Sequence, residues 1–289
     1  MSLPPEPPLY AWILSLNRIP SYEEYQLCFQ CLDDPSRAKV TELVRDGRKD
    51  EAWACLCGRL LPHIVMNQRQ IPPRAWYIRG NEDGAKPAIV SLGYDKKLGY
   101  NVARHGQVVA MAFALGPGPA VANVGCDVRR VASPPKVPLS IFVESLSHKI
   151  TDLERSFLFG QPDDVILRRL FILWTMKEAY LKAIGQPLHL GIAWDRIECD
   201  IPNETILVDG SKLRGWEFRM FVANVTTTPK DEMYQVTCAI HRGGDKTKFF
   251  WNHGQKSAVL DSWLRFLTVD SIMDAVWQLP YEHIINARG

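Results

Sequence analysis

Glu178 and Lys182 stand four residues apart in the apolar segment from Trp174 to Gly185, so a helix there sets a carboxylate and an ammonium on one face. Ala, Leu, Met, Lys and Glu favour the helix, Leu167, Leu170 and Phe171 extend its apolar period, and Gly185 followed by Pro187 stops it. The ordinary meaning of such a pair is a surface ion pair of small energy. Its company argues for more: Trp174 lies one turn before, Lys177 adjoins the carboxylate, and upstream stands Asp127 in the strand-like run from Val121 to Arg130. Asp127 is expected at the end of that strand, where an Asp is commonly a turn or cap residue. Paired with Glu178 it would instead form a hard oxygen donor set, of the kind that holds Mg²⁺ beside water and phosphate.

Gly125-Cys126-Asp127-Val128, followed by Trp174-Thr175-Met176-Lys177-Glu178-Ala179-Tyr180-Leu181-Lys182-Ala183-Ile184-Gly185, resembles the two signature blocks of the 4′-phosphopantetheinyl transferases, G-[IV]-D-x-[EM] and W-x-x-K-E-[AS]-x-x-K-x-x-G. The second block matches at every fixed position. Gly84-Ala85-Lys86-Pro87 resembles the family's G-K-P segment with one residue inserted, and Leu98 to His105 resembles its F-N-[IVL]-S-H segment. Phe266 to Met273 resembles the closing segment of eukaryotic members. The chain's length suits the larger, monomeric, Sfp-like group that includes the aminoadipate-semialdehyde-dehydrogenase type.

The resemblance implies a holo-acyl-carrier-protein synthase. A carrier-protein serine would attack the β-phosphorus of coenzyme A, and 3′,5′-ADP would leave. Asp127 and Glu178 are then the expected ligands of Mg²⁺, with Mn²⁺ an alternative, and Glu178, Lys182 and Asp127 the catalytic set. Glu178 would take the serine proton and Lys182 would neutralise the transferring phosphate; Lys177 is either part of that field or solvated. For coenzyme A the family pattern points to Arg48 or Lys49 at the 3′-phosphate, to Lys86 and Pro87 along the adenine with Arg79 assisting, and to Asn101 and Arg104. Expected carriers are those of fatty-acid, polyketide or peptide synthases, or the lysine-pathway reductase.

This chain departs from the pattern in three places. Ala103 and Arg104 stand where the family has Ser-His, and His105 comes one position late. Ala103 lacks the phosphate donor, while Arg104 offers a guanidinium fork suited to phosphate. Arg129, two residues beyond Asp127 and on the same strand face, replaces a metal-binding acid or a methionine. A competing reading is therefore a descendant that binds coenzyme A or carrier proteins without turnover.

The elements that must position these residues read as α+β. A first strand is expected over Leu9 to Leu16, a helical stretch from about Ser21 to Val44, and a helix from Asp50, acting as its cap, to about Met66. Short strands and turns follow between Pro72 and Ile89, then a strand from Val108 to Leu115 and a turn at Gly116-Pro117-Gly118-Pro119. Beyond Pro134, Pro135 and Pro138, helices are expected over about Ile141 to Phe159 and Asp164 to Ile184. Strands are expected at Ile192 to Asp200, Ile206 to Val208, Trp216 to Asn224 and Tyr234 to His241. Two similar subdomains, 1–134 and 135–289, follow, each a small, mainly antiparallel sheet packed with helices. Their pseudo-two-fold relation is implied by the resemblance.

Composition fits a cytoplasmic globular enzyme. The 289 residues are 46% apolar, enough for one large core or two smaller ones. A net charge of +2 gives no basic stripe for nucleic acid. The apolar run near the amino terminus is too short to span a membrane, and the four prolines in the first eight residues suggest a loose end. Seven cysteines read as reduced, buried thiols, preferred over zinc at Cys28, Cys31, Cys55 and Cys57.

Overall fold

Two four-stranded sheets, each carrying helices on its outer face, account for most of the chain. The structure, a computed structural model, describes residues 8–79, 88–91, 97–186, 194–227, 230–252 and 262–279. The first half contributes β1 (Leu9–Ser15), α1 (Tyr22–Gln30), α2 (Asp34–Arg45), α3 (Lys49–Gln68), β2 (Trp76–Arg79), β3 (Ala88–Ser91), β4 (Lys97–His105), β5 (Val108–Gly116), α4 (Gly118–Val121) and β6 (Val124–Arg130). The second contributes α5 (Leu139–Ser145), α6 (Asp152–Leu158), α7 (Asp163–Ala183), β7 (Ile197–Asp200), β8 (Thr205–Val208), β9 (Ser211–Lys212), β10 (Trp216–Thr227), β11 (Lys230–His241), β12 (Lys248–Asn252), β13 (Leu264–Thr268) and α8 (Val269–Trp277).

The sheets run β4-β5-β1-β13 and β6-β11-β10-β12. Each has two antiparallel pairings followed by a parallel one. This shared sequence of strand senses is the internal repeat of the α+β fold. The halves are interlocked, because β6 is hydrogen-bonded into the second sheet and β13 into the first.

Side-chain alternation assigns each strand two partners. Along β5, Val109, Met111 and Phe113 face α3, whereas Val108, Ala110, Ala112 and Ala114 enter the layer between the sheets. Along β6, Val124, Cys126 and Val128 enter that same layer. Gly125, Asp127 and Arg129 are thereby turned to the α7 side.

At their meeting edges β4 and β6 run in the same direction and are stitched by side chains. The Cys126 N–H donates to Asn101 Oδ1 at 2.9 Å, and the Arg130 N–H donates to His105 Nδ1 at 3.0 Å. Both acceptors stand in for carbonyls that a regular ladder would offer.

Several boundaries differ from the sequence expectation. The stretch from Ser21 to Val44 is two helices, since Pro35 is tolerated only in a first turn; Asp33 Oδ1 caps α2 by accepting from the Ser36 N–H at 2.7 Å. Asp50 is not the cap of α3. Arg48 holds that position without a side-chain capping bond, and Asp50 lies in the first turn, where its charge suits the dipole. The stretch from 141 to 159 breaks into α5 and α6 because Thr151 and Glu154 start a new helix with a capping box. The Gly-Pro-Gly-Pro turn leads into the single turn α4. Only 194–200 of the strand expected at 192–200 is described, and it begins with a 3₁₀ turn before β7.

α7 approaches β6 closely enough that no side chain separates them at Gly125. A Cβ added at Gly125 would lie 1.9 Å from the Ala179 carbonyl oxygen and 2.7 Å from the Ala183 nitrogen, so helix backbone rests on strand backbone there. Gly125→Ala is expected to lower stability by about 1 to 3 kcal/mol or more, since the obstructing atoms are main chain and cannot turn aside. Urea unfolding should show a lower midpoint at an unchanged slope.

Candidate active site

One stripe of α7, Thr175, Ala179 and Ala183, rests on the second sheet. Ala179 and Ala183 sit on Gly125. One turn earlier the Thr175 hydroxyl meets the Thr237 hydroxyl at 2.8 Å, and Thr237 is the cross-strand partner of Asp127. These contacts fix the helix so that Glu178 and Lys182 flank Asp127.

Asp127 lies in the middle of β6, not at its end. The longer β11 keeps pairing through Arg130, so the run of charge after Asp127 is still strand. Its carboxylate is almost fully buried, 1% exposed. Lys182 Nζ donates to Oδ1 at 2.6 Å and Arg129 Nε to Oδ2 at 3.1 Å. Lys182 therefore pairs with Asp127 across the helix–strand contact, not with Glu178 along the helix as the spacing alone suggested. Arg129 also lies over the Trp174 ring, its Cζ 5.1 Å from the centroid. Lys149 Nζ covers Trp174 and Trp194 from 5.9 and 5.2 Å.

Glu178 is 4% exposed, and among the described residues its Oε2 has no hydrogen-bond partner. Burial, then the neighbouring Asp127 charge, push its carboxyl up to about 7 against the pull of Lys182, Arg129 and Lys149. A buried carboxylate oxygen without a donor costs energy unless a ligand satisfies it. The donor chemistry fits a divalent cation held by Asp127 and Glu178. Among the described residues no third His, Cys, Asp or Glu completes a protein cage, so remaining ligands would be phosphate and water.

Lys177 plays no part in this field and is not solvated. It is 1% exposed, and its three protons go to Glu154 Oε2 at 2.6 Å and to the Lys149 and Trp194 carbonyls, each at 3.0 Å. Glu154 in turn accepts from the Cys199 and Thr151 N–H groups at 2.8 and 3.0 Å. The lysine of the Lys-Glu pair is a structural anchor that ties α7 to α6 and β7.

A cleft of about 510 Å³ opens between α2, α3 and β4, lined among others by Asp33, Ser36, Arg59, Tyr100, Asn101 and Arg104. Asn101 has its Oδ1 committed to the Cys126 N–H. Ala103 faces the inter-sheet core at 3% exposure, so the alternation of β4 turns Arg104 outward. His105 is half-buried and spends Nδ1 on Arg130, while burial, with Arg129 nearby, pushes its imidazole down. Arg48 and Lys49 are exposed at the start of α3, and Arg48 Nε donates to Glu51 Oε1 at 2.8 Å. Glu51 is held below the usual carboxylate range by Arg48 first, with Arg104 adding, so both arginines border one rim. Arg79 ends β2, next to cleft residue Ile78. Lys86 and Pro87 lie outside the described residues.

Sequence reasoning missed Arg59. Its signal was the Gly58-Arg59 step in an otherwise apolar helix: a Cβ at Gly58 would meet Val102 Cγ1 at 3.0 Å, so α3 crosses β4 closely there and leaves Arg59 at the cleft.

Residues 123–239, which include Asp127, Glu178 and Lys182, match the family model described as the 4′-phosphopantetheinyl transferase superfamily. A 4′-phosphopantetheinyl transferase of Paxillus involutus is 35% identical over 203 residues, covering 68% of this chain and 75% of that protein. The chain belongs to the 4′-phosphopantetheinyl transferase superfamily. The L-aminoadipate-semialdehyde dehydrogenase-phosphopantetheinyl transferase of Mus musculus is 25% identical over 225 residues, 72% of this chain and 69% of that protein. A 4′-phosphopantetheinyl transferase of Aneurinibacillus migulanus is 28% identical over 158 residues, 54% of this chain and 59% of that protein.

For this phosphopantetheinyl transferase the buried Lys177–Glu154 pair yields a stability test. Lys177→Met leaves Glu154 charged and unpaired and should cost about 3 to 5 kcal/mol. Adding Glu154→Leu should restore most of that, short of the roughly 1 kcal/mol of the lost capping box. A double-mutant cycle in urea checks both values.

Proposed function

We propose that this transferase binds coenzyme A along the cleft between α3 and β4 and carries out phosphoryl transfer at the Asp127, Glu178 and Lys182 cluster. Transfer of the 4′-phosphopantetheine arm of coenzyme A to carrier proteins is the activity of the family. The observation that carries the residue-level reading is the buried Oε2 of Glu178, which has no partner among the described residues, beside the buried Asp127 carboxylate. Asp127 and Glu178 would hold Mg²⁺, or Mn²⁺ in its place, which when bound neutralises the pyrophosphate.

The carrier serine oxygen forms a bond to the β-phosphorus as the bridge to the α-phosphate breaks. Both electrons of that bond leave with 3′,5′-ADP. Glu178 takes the serine proton, directly or through one water. Lys182 neutralises charge on the transferring group and on the leaving phosphate. Its pairing with Asp127, 2.6 Å long, supports that place by keeping the ammonium at the cluster before substrate arrives.

Coenzyme A's phosphates are assigned to the basic rim: Arg104 to a phosphate, and Arg48 or Lys49 to the 3′-phosphate. Arg79, Lys86 and Pro87 are assigned to the adenine, and Asn101 to the cleft wall. Residues 1–134 supply this cradle and Asp127, and 135–289 the helix with Glu178. The carriers are those of fatty-acid, polyketide or peptide synthases or the lysine-pathway reductase; the name of the mouse relative favours the last. Seven cysteines, all buried and none in a disulfide, support a reducing, cytoplasmic setting. Among the described residues no helix is long and apolar enough to cross a membrane. A monomer suffices, as each proposed site residue comes from one chain.

Glu178→Gln should reduce transfer by about 10³-fold or more while leaving thermal unfolding nearly unchanged, since the proton acceptor and a metal charge are lost but the shape is kept. Mass spectrometry of an apo carrier incubated with coenzyme A and Mg²⁺ reads the outcome, and near-normal turnover overturns the assignment. Arg104→Ala should weaken coenzyme A binding by about 1.5 to 3 kcal/mol. Calorimetry with dephospho-coenzyme A decides which phosphate it meets, because the loss shrinks only if Arg104 contacts the 3′-phosphate.

A further inference from the structure

Asp127 carries a cation on each carboxylate oxygen. Lys182 holds one oxygen and Arg129 the other, so a metal ion reaching this carboxylate meets like charge at either one. The two are unequal. Lys182 makes the shorter contact, 2.6 Å against 3.1 Å. Arg129 touches Asp127 through Nε alone among its described hydrogen bonds, is 25% exposed, and already lies over the Trp174 ring, a cation-binding surface that can keep it after it leaves the carboxylate. Its two terminal nitrogens are the part of the guanidinium suited to a phosphate fork.

We propose that Arg129 is a tethered cation that occupies the metal-binding oxygen of Asp127 until coenzyme A arrives. The pyrophosphate then draws the guanidinium off the carboxylate and along Trp174, and Oδ2 becomes available to the divalent ion. Metal binding to the free protein is thereby held weak, and binding of metal and coenzyme A is coupled through one side chain. The coupling is reciprocal by linkage, so metal raises coenzyme A affinity by the same factor. This inference rests on the assignment of Asp127 and Glu178 as metal ligands. It adds the reason why a cation at position 129 is compatible with that assignment.

The test is a titration of Mn²⁺ followed by electron paramagnetic resonance of the free ion, on the full chain, without carrier protein, so that no turnover is involved. Arg129→Met and the more nearly isosteric Arg129→Gln should both bind Mn²⁺ about ten-fold more tightly than the unaltered protein when coenzyme A is absent. With saturating coenzyme A the affinities should converge to within about two-fold, since Arg129 has then already left Asp127. Asp127→Asn should lose the site in both conditions. Equal Mn²⁺ affinity in the unaltered protein and both Arg129 variants, with Asp127→Asn still abolishing binding, overturns the role of Arg129 alone. Unchanged Mn²⁺ binding in Asp127→Asn overturns the metal assignment and this inference together.

Discussion

The contact of α7 with β6 at Gly125 is the constraint on which the site depends. Asp127 is on a strand, Glu178 and Lys182 are on a helix, and ordinary helix–sheet packing holds such elements apart by the thickness of a side-chain layer. At Gly125 that layer is absent: carbonyl and amide atoms of α7 occupy the space a Cβ would fill. Ala179 and Ala183 keep the facing surface small, and the Thr175–Thr237 hydroxyl contact fixes the helix one turn further on. The glycine of the Gly-Cys-Asp run is thus a statement about distance. It brings the Lys182 ammonium to 2.6 Å from the Asp127 carboxylate.

Burying charge at such a contact requires compensation, and two solutions stand side by side on α7. Lys177 and Glu154 form a closed pair in which every proton and each carboxylate oxygen has a partner, so the pair is inert and serves packing. One residue on, Glu178 is buried with no partner for Oε2 among the described residues, and its carboxyl is pushed up to about 7. Adjacent positions in one helix therefore differ in how completely their buried charges are hydrogen-bonded. The Asp127 cluster is intermediate: its oxygens are satisfied, but by two cations, Lys182 and Arg129, that remain partly exposed to solvent.

Much of this was legible in the residues. The helix over 163–183, the strands around 9–15, 108–116 and 216–241, the buried thiols and the grouping of Asp127, Glu178 and Lys182 followed from periodicity and from the two motif blocks. What was not legible depended on long-range partners. Glu154 lies far from Lys177 in sequence, so a lysine in a signature looked catalytic or solvated when it is a core anchor. Asp127 looked terminal because charge follows it, whereas the length of β11 carries the pairing on. Arg59 was hidden because its exposure follows from the crossing of α3 over β4, which no local pattern announces.

The Ala103-Arg104-His105 run illustrates how strand alternation converts sequence departures into different structural meanings. Ala103 points into the core between the sheets, where a small apolar side chain packs against the second sheet, so its missing hydroxyl leaves no gap there. His105 shares that strand parity, yet lies near the end of β4, where its Nδ1 reaches the Arg130 N–H and helps to close the seam with β6. Arg104 alone is turned outward, toward the cleft shared with Arg59 and Tyr100. Asn101, two residues before Ala103 on β4, anchors Cys126, the residue next to Asp127. One strand therefore borders the cleft with its outward side chain and holds β6, which carries Asp127, with Asn101 and His105.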